Sequence, residues 1–434
     1  MIHFFKNKIS PLLKFQGDLK NVPWMVTEQF FRMVSGLLVS IFIARYLNPE
    51  NYGKLNYIIA FVSVFVPFVQ LGMFSILVRE VINLPNKKYN ILGTAFSLSL
   101  IFAIITSIVL NIVNYYYNDN DNIKYLISIY SLILIFKSFD NIDYYFQSQN
   151  KAKWSSIPKI LVYVILVILK LILVYYEYSF EYFVYANIIE VILIATLLFI
   201  NFKLNTTSSF FYFDKIISIR LLKSAWPMVI SSLSIILFMR IDQLMIVKYL
   251  SMEDMGIYSA VTKLYEGYAA IVYTVSVSLL PLILKSKKDE NDYLKKLSQI
   301  ISILFYGCLI ITIVVFILDD VILKFIYGEK YLKGNHVLVI MFLTSCFSAL
   351  NSISNRYFTS ENMEKKIMKR TIISLLINVF LNLILIPKFG IEGAAFTTLF
   401  SMIIGSYILD YFDNDLKDLI NVKNNAFLLK NIYK

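Results

Sequence analysis

Arg240 and Asp242 stand two residues apart in the stretch MRIDQLMIVKYL, Met239 to Leu250, well inside a long apolar run. Residues two apart on an α-helix lie about 200° around its axis, so these charges face different surroundings and do not neutralise each other. A charge at the centre of a membrane helix costs about 2.5–3.5 kcal/mol, so each needs a partner, a water-filled cavity or a ligand. Other charges share this setting. Glu28 and Arg32 are spaced i, i+4; Lys137, Asp140 and Asp143 run at i, i+3, i+6 through FKSFDNIDYY; Lys263 and Glu266 are spaced i, i+3; Lys170, Glu190 and Arg356 stand alone. Glu28/Arg32, Lys137/Asp140 and Lys263/Glu266 have built-in partners and read equally well as register-fixing ion pairs or as working groups. Lys170 reads as a snorkelling side chain. Arg356 has no acid one helical turn away, so a cavity or an anionic ligand accounts for it better.

The chemistry open to this set is recognition of an anion. Arg32 and Lys137 in the first half of the chain and Arg240, Lys263 and Arg356 in the second are the expected walls of a cationic cavity, with Tyr, Phe, Ser and Asn between them. Arginine clamps phosphates and aromatic rings pack on sugar faces, so a phosphate-linked sugar fits. Nothing points to catalysis: there is no P-loop, no GxSxG and no HExxH. Cys308 and Cys346 sit in apolar segments as packing residues, and His3 and His336 suggest no metal site. The net charge of +12 would raise nucleic acid as a partner in a soluble protein, but here it reads as membrane orientation.

The elements that must carry these residues are membrane helices. The chain has 434 residues, 58% hydrophobic and 16% charged, where a soluble domain would be about a quarter charged. Continuous apolar runs of about twenty residues fit helices, not the alternating strands of a barrel. The expected fold is all-α, with twelve spans near 24–44, 57–78, 91–115, 124–146, 158–175, 182–200, 224–247, 256–284, 298–318, 336–360, 371–386 and 391–412. Lys and Arg gather in both tails and in every second connection, as in Lys285, Lys287, Lys288, Lys295 and Lys296, which puts both termini in the cytoplasm. Trp24, Trp154 and Trp226 fall at the inner ends of spans one, five and seven.

A duplication organises the spans. IARYLNPENYGKL (Ile43–Leu55) and IVKYLSMEDMGIY (Ile246–Tyr258) align without a gap, pairing Arg45 with Lys248, Tyr46 with Tyr249, Glu50 with Glu253 and Gly53 with Gly256. Two six-helix bundles of like orientation follow. The expected divisions are a basic amphipathic segment 1–23, a first bundle 24–203, a cytoplasmic linker 204–223, a second bundle 224–412 and a cytoplasmic tail 413–434.

Three stretches resemble the Wzx-type polysaccharide-repeat flippases of the multidrug/oligosaccharidyl-lipid/polysaccharide exporter superfamily: Ser40–Gly72, the region from Trp226 on to Pro281, and Asn378–Ser401. The resemblance implies two bundles around a V-shaped central cavity. It also implies transfer of an undecaprenyl-diphosphate-linked oligosaccharide from the inner to the outer leaflet of the bacterial cytoplasmic membrane, driven by a Na⁺ or proton gradient. Expected partners are that lipid-linked substrate, membrane lipids, a polysaccharide polymerase and glycosyltransferases, with no cofactor. Similarity to the lipid II flippases implies a sodium site at Asp242, Asn378 and Asn382, Thr398 and the Ala394 carbonyl; Asn382 departs from that pattern, which has an acid there. Asp140 and Asp143 are the alternative for proton coupling. A drug exporter of the same superfamily is the competing reading, opposed by the cationic excess, and a polysaccharide polymerase lacks its long external loop here.

Overall fold

Apolar side chains of this density bury only where the backbone satisfies its own polar groups, and the described residues are almost wholly helical. The computed structural model describes residues 21–206, 212–279 and 290–430. Among them the elements are α1 Val22–Ser63, α2 Val66–Gln70, α3 Met73–Asn83, α4 Lys88–Tyr117, α5 Asp121–Tyr130, α6 Ile133–Lys137, α7 Asp140–Ser148, α8 Lys153–Tyr175, α9 Phe180–Asn205, α10 Lys215–Tyr249, α11 Met252–Ser278, α12 Glu290–Ile326, α13 Asn335–Ser360, α14 Glu364–Ser406 and α15 Lys417–Phe427, with short 3-10 turns between some of them and no strand. The expected amphipathic segment lies almost wholly outside the described residues, as does part of the 204–223 linker, whose later residues begin α10.

Nine stretches of the described residues are long and apolar enough to cross a membrane, against the twelve spans expected. Two of them, Val22–Asn83 and Glu364–Phe412, each take in two expected spans. The joints are local backbone breaks. In α1 it is Asn48, at φ 64° and ψ 162°, forced out of the helical region by the proline that follows it. In α14 it is Gly390, at φ 61° and ψ −140°, a conformation open to glycine three residues after Pro387. α11 is more polar and is not among the nine.

The chain forms two compact units. One comprises Val62–Leu233 with the chain up to Val39; the other comprises Ser40–Phe61 with Ser234–Lys434. In the first, α3, α4, α7, α9 and the start of α10 share a core of Met73, Leu77, Phe96, Ile142, Phe146 and Phe202. In the second, α12, α13 and α15 share one that includes Leu297, Ile301, Leu350, Leu419 and Val422. Cys308 and Cys346 are buried in that core as unpaired thiols. Within the expected cytoplasmic tail, 413–434, the described residues form α15, whose Leu419, Val422 and Ala426 are buried in this core.

The packing draws Ser40–Phe61 into the second unit because the two copies of the repeat touch. A Cβ on Gly53 would stand 1.8 Å from the Met252 carbonyl oxygen, and one on Gly256 would stand 1.7 Å from that of Pro49. Met252 is the repeat counterpart of Pro49, so the contact is reciprocal, and glycine is needed at both positions for the backbones to approach. Each copy also breaks its helix at the same place by different chemistry: Asn48-Pro49 in the first, and in the second Ser251, whose hydroxyl caps the Asp254 amide at 3.0 Å.

Candidate functional site

Asp242 lies on α10 and is 4% exposed. Its Oδ2 accepts a short hydrogen bond from the Tyr258 hydroxyl of α11 and a longer one, at 3.3 Å, from the Thr398 hydroxyl of α14. The Thr398 hydroxyl also lies 3.1 Å from the Ala394 carbonyl, and its single proton serves one acceptor at a time. Oδ1 has no partner, and no Lys, Arg or His of the described residues pairs with the carboxylate. A buried carboxylate met only by neutral donors, with one oxygen unfilled, is an acceptor waiting for a cation or a proton.

Asn378 and Asn382, one turn apart on α14, are fully buried. Asn382 donates to Asn378 Oδ1 at 3.0 Å, which leaves Asn382 Oδ1 and Asn378 Nδ2 without partners. The expected ion-site residues are thus brought together in two groups, Asp242 with Thr398 and the asparagines with each other. No hydrogen bond among the described residues joins the two groups.

Asp242, Tyr258 and Thr398 line a cavity of about 460 Å³, whose other walls include Phe238, Tyr265 and Tyr273. Glu266 also lines it, and takes Arg240 at 3.1 Å on one oxygen and Lys263 at 3.3 Å on the other. Two cations share this one acid, so the trio of Arg240, Lys263 and Glu266 carries a net positive charge behind the wall. Arg356 donates to the Tyr273 hydroxyl at 2.6 Å and lies over that ring at 5.1 Å, with no acidic partner among the described residues. Arg240 and Asp242 do point to different surroundings, as their spacing requires. Arg240, expected as a contact for the substrate phosphate, pairs with Glu266.

The first unit departs further from the sequence expectation. Glu28 does not pair with Arg32. It lies 3.8 Å from Lys159 and accepts from Tyr163 at 3.4 Å, while Arg32 is exposed and bonds Gln29. Lys137 does hold Asp140, at 3.5 Å, and Gln70 donates to the same carboxylate. Asp143, one turn on from Asp140 in α7, pairs with Lys159 of α8 at 2.5 Å. Lys170 does not snorkel but pairs with Glu190 at 3.0 Å. Sequence reasoning missed Lys159 because its partners lie on other helices. It missed Tyr258 as well, although a signal existed: the first copy of the repeat has Leu55 there, Val39 at the place of Asp242 and Leu37 at that of Arg240. The polar set is what the second copy adds to the first.

A family model described as polysaccharide biosynthesis protein matches residues 19–287, more than half of the chain. The chain belongs to the polysaccharide biosynthesis protein family. With it goes membership of the wider exporter superfamily. A second model, lipid II flippase MurJ, matches residues 219–415, the part of this family member that holds Asp242, the asparagine pair and Thr398. Among relatives, the capsular polysaccharide biosynthesis protein CapF of Staphylococcus aureus is 24% identical over 91% of this chain and 98% of its own. The probable low-salt glycan biosynthesis flippase Agl15 of Haloferax volcanii is 22% identical over 45% of this chain and 41% of its own. In fold, the family member resembles the lipid II flippase MurJ in its inward closed conformation, with a TM-score of 0.70 at 17% identity over 94% of this chain and 91% of that one. It also resembles an inward-facing multidrug resistance MATE transporter, with a TM-score of 0.68 at 14% identity over 91% and 96%.

Proposed function

We propose that this polysaccharide biosynthesis family protein is a flippase that moves an undecaprenyl-diphosphate-linked oligosaccharide from the inner to the outer leaflet of the bacterial cytoplasmic membrane, by alternating access and with both termini cytoplasmic. The observation that carries the reading is the second-unit cavity, where a buried carboxylate with one unfilled oxygen shares walls with three tyrosines and with Glu266, the acid that holds both Arg240 and Lys263. The cationic surplus of Arg240 and Lys263 over Glu266, with Arg356 beside it, is matched to the diphosphate, and the tyrosine faces to the sugars. Asp242, with Thr398 and the Ala394 carbonyl, takes the coupling Na⁺ or proton; Asn378 and Asn382 supply further oxygen chemistry to the same ion. Asp140 and Asp143 are held by lysines and serve structure. The enzymes that must flank this step are glycosyltransferases, which build the lipid-linked unit, and a polymerase, which consumes it outside. The test is export of surface polysaccharide in cells that depend on this chain. Arg240→Ala and Arg356→Ala, at wild-type membrane levels, are expected to abolish export; full export by both overturns the reading. Extrusion of cationic drugs in the same cells would favour a multidrug exporter.

A further inference from the structure

Arg370 lies in the second turn of α14 and is 7% exposed. Its Nε donates to the Gly405 carbonyl at 2.7 Å, its Nη2 lies 3.1 Å from Asp410 Oδ1, and its plane lies 4.8 Å over the Phe358 ring. Nη1 has no hydrogen-bond partner. Asp410 is fully buried, and so is Lys423 of α15, which reaches Asp410 Oδ2 at 2.6 Å and the Ser406 carbonyl at 2.6 Å. The neighbouring acid, Asp413, is taken by Lys366 at 2.7 Å. Two buried cations therefore share one buried carboxylate, and the surplus positive charge has no protein counter-ion among the described residues. An uncompensated buried charge costs several kcal/mol and persists only where something else answers it.

Beside this cluster is a second cavity, of about 260 Å³. Its lining includes Arg370, Asn351, Asn355, Thr371 and Ser374, together with Ile235, Phe238, Met239 and Met402. Phe238, Met239 and Met402 also line the cavity at Asp242, so the two are neighbours. A space with one cation, four neutral polar groups and an apolar remainder suits an anionic headgroup with the start of a hydrocarbon chain. A guanidinium surrounded by amides and hydroxyls is matched to phosphate oxygens.

We propose that this second cavity binds a phosphate-bearing anion, with Arg370 as its contact and Asp410 and Lys423 as positioning residues that fix the guanidinium. The chemistry is shared by the diphosphate of a polyprenyl lipid and by free pyrophosphate. The site does not depend on a coupling role for Asp242, so it stands or falls separately from the flippase reading.

The test uses the purified full chain in an uncharged detergent, as wild type and with Arg240→Ala/Arg356→Ala, which removes cations beside the first cavity and is the background in which the variants below are compared; farnesyl diphosphate and inorganic pyrophosphate are the probes, and thermal shift and direct titration the readouts. Saturable binding of either probe is expected. Farnesyl diphosphate binding at least tenfold tighter identifies a lipid headgroup as the source, and equal binding identifies the free anion. Asn355→Asp, which adds a carboxylate to the cavity wall without touching the ion pairs, is expected to weaken binding tenfold or more. Arg370→Gln removes the contact while leaving Asp410 balanced by Lys423, and is expected to abolish binding. Retained affinity in Asn355→Asp, or no binding of either probe to the wild-type chain, overturns the proposal.

Discussion

Asp143 and Asp242 are both buried carboxylates on apolar helices, one in each compact unit, and they are satisfied in opposite ways. Asp143 is closed by an ion pair, with Lys159 at 2.5 Å and Glu28 leaning on the same ammonium. Asp242 is met by two hydroxyls and keeps one oxygen unfilled. The first arrangement has spent its charge on structure, since breaking it strands a carboxylate out of water. The second has its charge in reserve. The duplication sharpens the contrast: α1 and α10 begin from the same plan, and the second copy has Asp242, Arg240 and Tyr258 where the first has apolar residues. One copy holds apolar packing at these three places, and the other holds the polar groups.

The largest expected effect comes from exchanging the two roles. Asp242→Asn removes only a charge that no cation holds, so the protein is expected to fold and reach the membrane while export falls to background; export within twofold of wild type breaks the comparison. Lys159→Met is expected to do the reverse. It strands two carboxylates, costs about 3–5 kcal/mol, and shows as loss of folded protein in a thermal-stability assay of extracted membranes.

Next is a pH dependence at the end of the second unit. Burial, with the Arg370 charge beside it, pulls Lys423 down to about 8 against the attraction of Asp410, from its ordinary 10.5. The charged groups facing it are Asp410 and Arg370, with Asp413 and Lys366 paired nearby. Between about 8 and 10.5 the unfolded chain holds the proton that the folded chain has given up, so stability rises with pH across that window, by up to about 3 kcal/mol. Unfolding midpoints from pH 7 to 10.5 measure this. Lys423→Met is expected to flatten the rise, and an unchanged slope in that variant discounts the reading.

The reciprocal glycine contact gives a smaller effect. Gly53→Ala and Gly256→Ala each force backbones apart, for about 1–3 kcal/mol. Because both substitutions open the same crossing, the double variant is expected to cost less than the sum of the two in a double-mutant cycle. Smallest is Thr398→Val, which removes one neutral donor from Asp242. A loss of about 1 kcal/mol, or roughly fivefold in the affinity for the coupling ion, is expected in ion-dependent transport, with no loss of folded protein.

Much of this was legible in the sequence. The helical membrane class follows from composition, and the repeat from one gapless alignment. The pairing of Lys263 with Glu266 and of Lys137 with Asp140 follows from i, i+3 spacing. The break at Asn48-Pro49 was open to the same reasoning, since the residue before a proline is driven out of the helical region. Glu28 and Lys170 were misread for one reason. Spacing along a helix names the nearest partner on that helix, and each of these found a partner on another one, Lys159 and Glu190.

What the amino-acid order determined by itself is therefore the local set: apolar runs that must be helical because the backbone has no other way to satisfy itself in hydrocarbon, breaks at proline and glycine, and charges within one turn of each other. What only the tertiary structure decided is which charge answers which across the chain. Asp143 became half of a closed ion pair and Asp242 a carboxylate met only by hydroxyls, and Arg370, Asp410 and Lys423 became a buried cluster beside a cavity, out of residues the sequence scatters over a loop, a span and a tail. The physical reason is that burial and counter-charge are properties of packed neighbours distant in the chain, and no spacing rule carries them.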